Sequence, residues 1–239
     1  MKLISLSLWG TDPKYLTGAL RNAELAAAIY PGWRMRFYCG SSVPEAMVAR
    51  LQAFSYVEVV AMQEPGDWRA SFWRFYPAAE AGVSVMLSRD ADSRLNARER
   101  AAVDTWLRGD QDFHVMRDHP EHNLPILGGM WGVRNGLLHN LRHLIDAFPK
   151  SDRWQVDQEF LTRVVAPMVC DQWLEHDEYY ARKPFPMAAV GRQFVGQPFD
   201  QFEHPLATRP HRLPAPLRQI LHSVRCRSSV RRARRVPGD

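Results

Sequence analysis

The chain has 239 residues, 46% hydrophobic and 24% charged, an ordinary globular balance that excludes a disordered main body. No apolar run approaches the roughly 18 residues needed to cross a bilayer as a helix. The net charge of +5 sits at one end: residues 207–239 hold nine arginines and one acid, which leaves 22 basic and 25 acidic residues, a net −3, over residues 1–206. The body therefore has no basic excess of its own, and the basicity belongs to an appendage. Cys39, Cys170 and Cys226 are widely spaced and form no CxxC pair.

"KLISLSLWG" reads as a strand ending at Trp9-Gly10. It has one lysine and a short apolar run, without the long apolar region and cleavage site of a signal peptide, so cytoplasmic residence is expected. "TDPKYLTGALRNAELAAAIYPGW" predicts a helix: Asp12 can cap it, Pro13 suits its first turn, and Pro31-Gly32 stops it. A strand ("RMRFYCG"), a helix ("SVPEAMVARLQAF") and a strand ("YVEVVAM") follow. "RASFWRFYPAAEAG" predicts a helix broken at Pro77. "VSVMLSRD" is the next strand, "NARERAAVDTWLRG" a helix closed by Gly109, and "DFHVMRD" a strand. This alternation argues an α/β fold with a mostly parallel sheet flanked by helices.

Further on, "HPEHNLPILGGMWGVRNG" reads as a loop that approaches a ligand. "GLLHNLRHLIDAF" and "WQVDQEFLTRVVAPM" predict helices, and "DQWLEHDEYY" a short strand and a loop. From Ala181 onward little regular structure is expected apart from "APLRQILHSV".

The stretch "SVMLSRDADSRL" carries a strand to its tip and places two carboxylates there, Asp90 and Asp92. They either cap the next helix or hold a hard divalent ion, Mg²⁺ or Mn²⁺, which takes one or two carboxylates plus substrate phosphates. A second D-x-D, Asp110 and Asp112, sits in "RGDQD", where turn chemistry suffices. The Asp90/Asp92 pair stands apart because ligands of open α/β sheets bind at the carboxyl ends of strands. Arg89 and Arg94 flank it and could offset diphosphate charge.

Other residues carry two readings. His114, His119 and His122 lack a helix to align them, so loop polarity or acceptor contact is favoured over zinc. Trp68, Phe72, Trp73, Phe75 and Tyr76 favour core packing over a sugar-stacking platform. Gly128-Gly129 is either a turn or a close backbone approach. Asp157 either enriches a first helical turn or acts chemically.

Taken in order, "SRDADSRL" after a strand, a helix, the "LGGMWG" loop, "VDQEFL" and "LEHDE" resemble the GT-A superfamily of nucleotide-sugar-dependent glycosyltransferases, more narrowly its bacterial polysaccharide-building members. The resemblance spans roughly residues 1–200. It implies a single GT-A-like, Rossmann-type domain over 1–200, with a Pro/Arg-rich, irregular C-terminal extension at 201–239.

The resemblance further implies a metal-dependent transferase of a sugar from a nucleotide-diphosphate donor to a glycan or other hydroxyl acceptor. Asp90 and Asp92 would bind Mn²⁺ or Mg²⁺, with Asp92 the stronger ligand and Asp90 nearer the ribose or a metal water. His176 would be the third ligand, with Asp177 its rival. Ser7, Trp9 and Gly10 would face the nucleoside. Arg74 and Arg89 would face the diphosphate, and Gly128 and Gly129 would line the donor sugar and acceptor. Asp157 and Gln158 would contact the transferred sugar or acceptor as catalytic residues. The "HxxGxxKPW" string of one retaining branch is absent, and "HDEYYARKPF" only echoes it.

Sugar transfer must stabilise a departing diphosphate, which a cation bridging both phosphates does electrostatically. An inverting enzyme would also need a base, for which Asp157, Asp118 and Glu121 are candidates.

The tail "VRCRSSVRRARRV" has six arginines in thirteen residues. It is a solvated end or a peripheral contact with anionic membrane. Nucleic-acid contact is disfavoured because no aromatics interleave with the arginines. Two other functions remain open. One is a metal-dependent phosphotransferase or phosphohydrolase, whose acidic pair would normally follow the first strand. The other is a non-catalytic binding module with a basic tail.

Overall fold

The computed structural model describes residues 1–207. The expected helix within "APLRQILHSV" and the arginine-rich tail lie outside the described residues. β1 (Lys2–Leu8), β2 (Arg34–Cys39), β3 (Val57–Ala61) and β4 (Val85–Ser88) run parallel. β6 (Trp131–Arg134) lies antiparallel between β4 and β5 (Phe113–Arg117), and β7 (Trp173–Asp177) runs parallel to β5. The strand order is β3-β2-β1-β4-β6-β5-β7, a mixed and mostly parallel sheet. Its order reverses between β1 and β4, where such sheets open a crevice at their carboxyl ends.

Helices cover both faces, as a parallel sheet requires. The face of α1 (Pro13–Ile29), α2 (Glu45–Gln52) and α3 (Ala97–Arg108) buries Ile4, Leu6 and Leu8 with Ala19, Leu51 and Trp106. On the other face Leu3 joins Phe72, Phe75, Trp131 and Phe160, with Leu141 and Ile145 of α4 (Leu141–Ala147). The period-two alternation of β1 thus sends Ile4, Leu6 and Leu8 one way and Leu3, Ser5 and Ser7 the other.

Three details differ from the sequence reading. The predicted loop before Gly136 contains β6. It is four residues long and has Gly132 inside it, because a Cβ there would meet Leu87 Cδ2 at 2.7 Å and the Trp106 ring at 3.0 Å. That composition imitates a loop. The helix read over "WQVDQEFLTRVVAPM" is three pieces: α5 (Val156–Phe160), a π segment Leu161–Val165, and α6 (Ala166–Val169) with Pro167 in its first turn. Proline cannot donate to the carbonyl four residues back, and a change of helical pitch removes that demand.

The aromatic stretch Trp68–Ala79 is a 3₁₀ helix rather than a broken α-helix. With three residues per turn, side chains three apart share a row. Phe72, Phe75 and Ala78 enter the main core of that face. Ala70, Trp73 and Tyr76 pack beside Tyr38. Ser71 and Arg74, the third row, line a cavity.

Candidate functional site

The cavity, about 770 Å³, opens at the carboxyl ends of β1 and β4. Ser7, Trp9, Gly10, Arg74, Asp90, Asp92, Gly128, Asp157 and Gln158 line it, so one site gathers most of the residues singled out from the sequence.

Arg74 is held at its centre. Its backbone N–H donates to Ser7 Oγ at 3.0 Å, which fixes the 3₁₀ helix against β1. Its guanidinium is buried and two-handed: Nη1 pairs with Asp90 Oδ1, and Nη2 donates to Asp157 Oδ2 at 2.7 Å. Burial pushes the Asp157 carboxyl above its ordinary range; Arg74 opposes this and Asp90 adds to it. Arg74 Nε and Gln158 Oε1 are buried without a hydrogen-bond partner.

The acidic turn does not cap α3. Asn96 does, accepting the Glu99 N–H at 2.9 Å. Asn22 of α1 clamps the turn from behind, donating to Ser93 O at 2.8 Å and accepting Leu95 N–H at 3.0 Å. This leaves both carboxylates on the cavity wall. Asp92 Oδ2 accepts from Lys14 Nζ at 2.8 Å. Burial and neighbouring Asp90 raise the Asp92 pKa, and Lys14 pulls it down. Burial works to lower the Lys14 pKa, and Asp92 more than offsets this, so its ammonium is held above its ordinary value.

Gly128 and Gly129 press against this cluster. A Cβ on Gly128 would come within 2.8 Å of both Asp157 Oδ2 and Gln158 Nε2, and one on Gly129 would collide with the Asp90 carboxylate. The glycines are therefore a close backbone approach, fastened by Ser88 Oγ donating to Gly128 O at 2.6 Å. Gly129 stands behind Asp90, outside the residues lining the cavity.

Other expected residues lie elsewhere. Arg89 is on the opposite side, buried with Nε donating to Glu99 Oε1 at 2.8 Å and Nη1 donating to the carbonyls of Ser88 and Trp131. Alternation explains this, since neighbours at a strand end point to opposite faces. Arg94 pairs with Glu203 at 2.6 Å. His176 is not brought to Asp90 and Asp92. Its Nδ1 sits 2.8 Å from His114 Nε2 between β5 and β7, and burial pulls its pKa down to about 4. Asp177 pairs with Arg117 at 2.7 Å and accepts the N–H groups of Tyr179 and Tyr180.

Among the described residues there is no cluster of three or more His, Cys, Asp or Glu side chains suited to a metal. His176, engaged with His114, is not among the residues that line the cavity with Asp90 and Asp92. Of the candidate bases, Asp157 and Glu121 line the cavity. Asp118 is engaged by Arg98 at 2.7 Å and by the Val195 N–H at 2.9 Å.

Sequence reasoning passed over Lys14, Tyr15 and Trp154, which all line the cavity. For Lys14 a signal existed, namely a lysine in the first turn of the helix that follows the first strand. Pro198, Leu206 and Ala207 complete the wall, with the Phe199 N–H donating to Asp92 O at 2.9 Å.

No protein-family model matches the chain, and no curated protein does. Solved structures do. A glycosyltransferase involved in the glycosylation of the major capsid of PBCV-1 aligns with TM-score 0.50 at 16% identity, over 76% of this chain and 84% of that one. S. aureus TarS 1–349 aligns with TM-score 0.52 at 15% identity, over 74% and 58%. The mannosyltransferase PcManGT from Pyrobaculum calidifontis aligns with TM-score 0.50 at 13% identity, over 74% and 54%. This chain thus spans little more than half the length of the latter two. The fold is GT-A, as the motif order implied.

Proposed function

We propose that the protein is a metal-dependent glycosyltransferase using a nucleotide-diphosphate sugar. The observation that carries this is the linked set Asp157–Arg74–Asp90 with Asp92–Lys14 beside it, in one cavity at the carboxyl ends of β1 and β4. Two of the structural relatives are solved with donors, PcManGT with GDP-Man and Mn²⁺ and TarS with UDP-GlcNAc.

Charge supports the metal. Arg74 and Lys14 offset two of the three carboxylates, which leaves one negative charge over. A nucleotide diphosphate brings at least two more, and its leaving group carries them away. The donor set fits a hard divalent ion: two carboxylates open to the cavity, with the rest of the coordination left to phosphate and water. Mn²⁺ or Mg²⁺ held by Asp90 and Asp92 would supply the electrostatic stabilisation of the departing diphosphate.

The chain's own residues supply the rest. Lys14 lies within reach of a phosphate in the same cavity, and Ser7, Trp9 and Gly10 wall the nucleoside side. The partnerless Gln158 Oε1 offers an acceptor to a sugar hydroxyl. In the transfer, the bond from the sugar's anomeric carbon to the diphosphate oxygen breaks and its electron pair leaves with the diphosphate. The acceptor oxygen forms the new bond to that carbon, and its proton passes to Asp157, whose raised proton affinity suits a general base. Arg74 then balances whichever of Asp90 and Asp157 carries charge.

The test is calorimetric titration of UDP, GDP and their sugars with and without Mn²⁺. Wild type should bind one of them in a Mn²⁺-dependent way, and Asp92→Asn should lose that dependence while unfolding like wild type. Binding by Asp92→Asn equal to wild type overturns the assignment. Release of inorganic phosphate would instead favour a phosphohydrolase.

A further inference from the structure

The chain has eight tryptophans, and only Trp68 and Trp154, at 38% and 43% exposure, stand open to solvent. Both line the same cavity. Large apolar rings left exposed at a concave site mark a binding surface more often than scattered surface residues do.

They are also held there. The Trp9 and Trp68 rings meet edge to face at 6.1 Å. The Trp68 N–H donates to Asp152 Oδ1 at 3.2 Å, which ties the loop carrying Trp154 to the start of the 3₁₀ helix. Gln155, directly after Trp154, is buried and left-handed at φ 69°. A non-glycine residue keeps that conformation only where its surroundings impose it, and such strain gathers at functional sites. The turn leaves Trp154 at the mouth and buries Asp157 three residues further on.

We infer that Trp68 and Trp154 form a platform for a pyranose unit of the acceptor. The inference rests on the glycosyltransferase reading and names its acceptor as a carbohydrate. A pyranose presents an apolar C–H face that indole covers, while its hydroxyls stay at the edges for polar partners. Trp68 touches Trp9 of the nucleoside wall, and Trp154 carries the platform from there toward α5 and Asp157. Both indoles flank the wall formed by the 3₁₀ helix and the start of α5, which holds Asp157, whereas Lys14 and Asp92 stand at α1 and the acidic turn. An acceptor hydroxyl delivered to Asp157 leaves the rest of its ring along that wall.

The experiment is saturation-transfer NMR and tryptophan-fluorescence titration of the full chain with cello-, malto-, chito- and mannotetraose, with UDP or GDP and Mn²⁺ present. At least one tetrasaccharide should bind wild type. Trp68→Ala and Trp154→Ala should each weaken it about tenfold or more and keep the wild-type circular dichroism, and Trp154→Ala, away from Trp9, should leave nucleotide affinity within about twofold. Trp154→Phe should retain most of the binding, because the ring face is kept. The inference is overturned if no tetrasaccharide binds wild type, if the alanine variants bind as wild type does, or if they lose nucleotide and keep saccharide, which would make the platform a nucleobase site. If wild type binds a saccharide through these tryptophans but no nucleotide, the donor reading fails and the platform stands.

Discussion

Arg74 joins Asp90 to Asp157, one guanidinium nitrogen to each carboxylate, and so couples the acidic turn after β4 to the start of α5. Both partners are reached from the 3₁₀ row that also holds Ser71. Replacing Arg74 by Met removes one buried charge and strands another, because Asp157 is 5% exposed. Removing one partner of a buried pair costs about 3–5 kcal/mol. Arg74→Met should lose stability of that order in urea denaturation, together with Mn²⁺-dependent nucleotide binding. Arg74→Lys should recover part of the stability but less of the binding, because an ammonium lacks the two-pronged geometry. Equal stability for wild type and Arg74→Met would show that the bridge is absent in solution.

Gly129 offers a second probe, since no side chain fits between its backbone and Asp90. Gly129→Ala should displace the Asp90 carboxylate and weaken nucleotide-dependent Mn²⁺ binding at least about tenfold, equivalent to roughly 1.4 kcal/mol. Gly82→Ala, at a glycine with open space around its Cβ position, is the control and should leave binding unchanged. Electron paramagnetic resonance of free Mn²⁺ measures both.

These residues show what the sequence reveals and what it hides. The strand–helix alternation and the acidic tip of β4 are local patterns, and both were legible. Whether Asp90 and Asp92 cap α3 was not, because the answer lies in Asn96 taking the cap and in Asn22, some 70 residues earlier, clamping the turn. Arg89 and Arg74 look equally apt as phosphate ligands in the sequence. Strand alternation turns Arg89 into an internal pair with Glu99, and the three-residue row of a 3₁₀ helix turns Arg74 into the cavity. His176 lies five residues from Asp171 in a carboxylate-rich stretch, but pairing of β7 with β5 carries it to His114 instead. Long-range strand pairing decided the last of these outcomes, and no local motif encodes it.

Lys14 competes with any cation for Asp92. Removing it should free a carboxylate oxygen, so Lys14→Met should bind Mn²⁺ alone more tightly, by about tenfold if the ion pair is worth roughly 1.4 kcal/mol. The same variant should bind nucleotide diphosphate more weakly without metal, since it lacks one cation. Isothermal titration in the two orders of addition separates these effects. Unchanged affinity in both would remove Lys14 from the site.

The buried pair His114–His176 predicts how stability depends on pH. Burial lowers both pKa values, that of His176 from 6.5 to about 4. Between these values the unfolded chain binds a proton that the folded His176 does not, so stability rises with pH across the window. The contribution is fully present above pH 6.5 and is lost as pH falls through the folded value. A shift of that size corresponds to about 3 kcal/mol. Asp92 and Asp157, whose folded pKa values are raised, act in the opposite sense: their contribution is present below their unfolded value of 3.8 and is lost as pH rises through the folded one. In urea denaturation from pH 7 to 4.5, acidification should therefore take more stability from wild type than from His176→Asn, and the difference is the part that His176 carries. Parallel pH profiles for the two proteins would place His176 in contact with solvent.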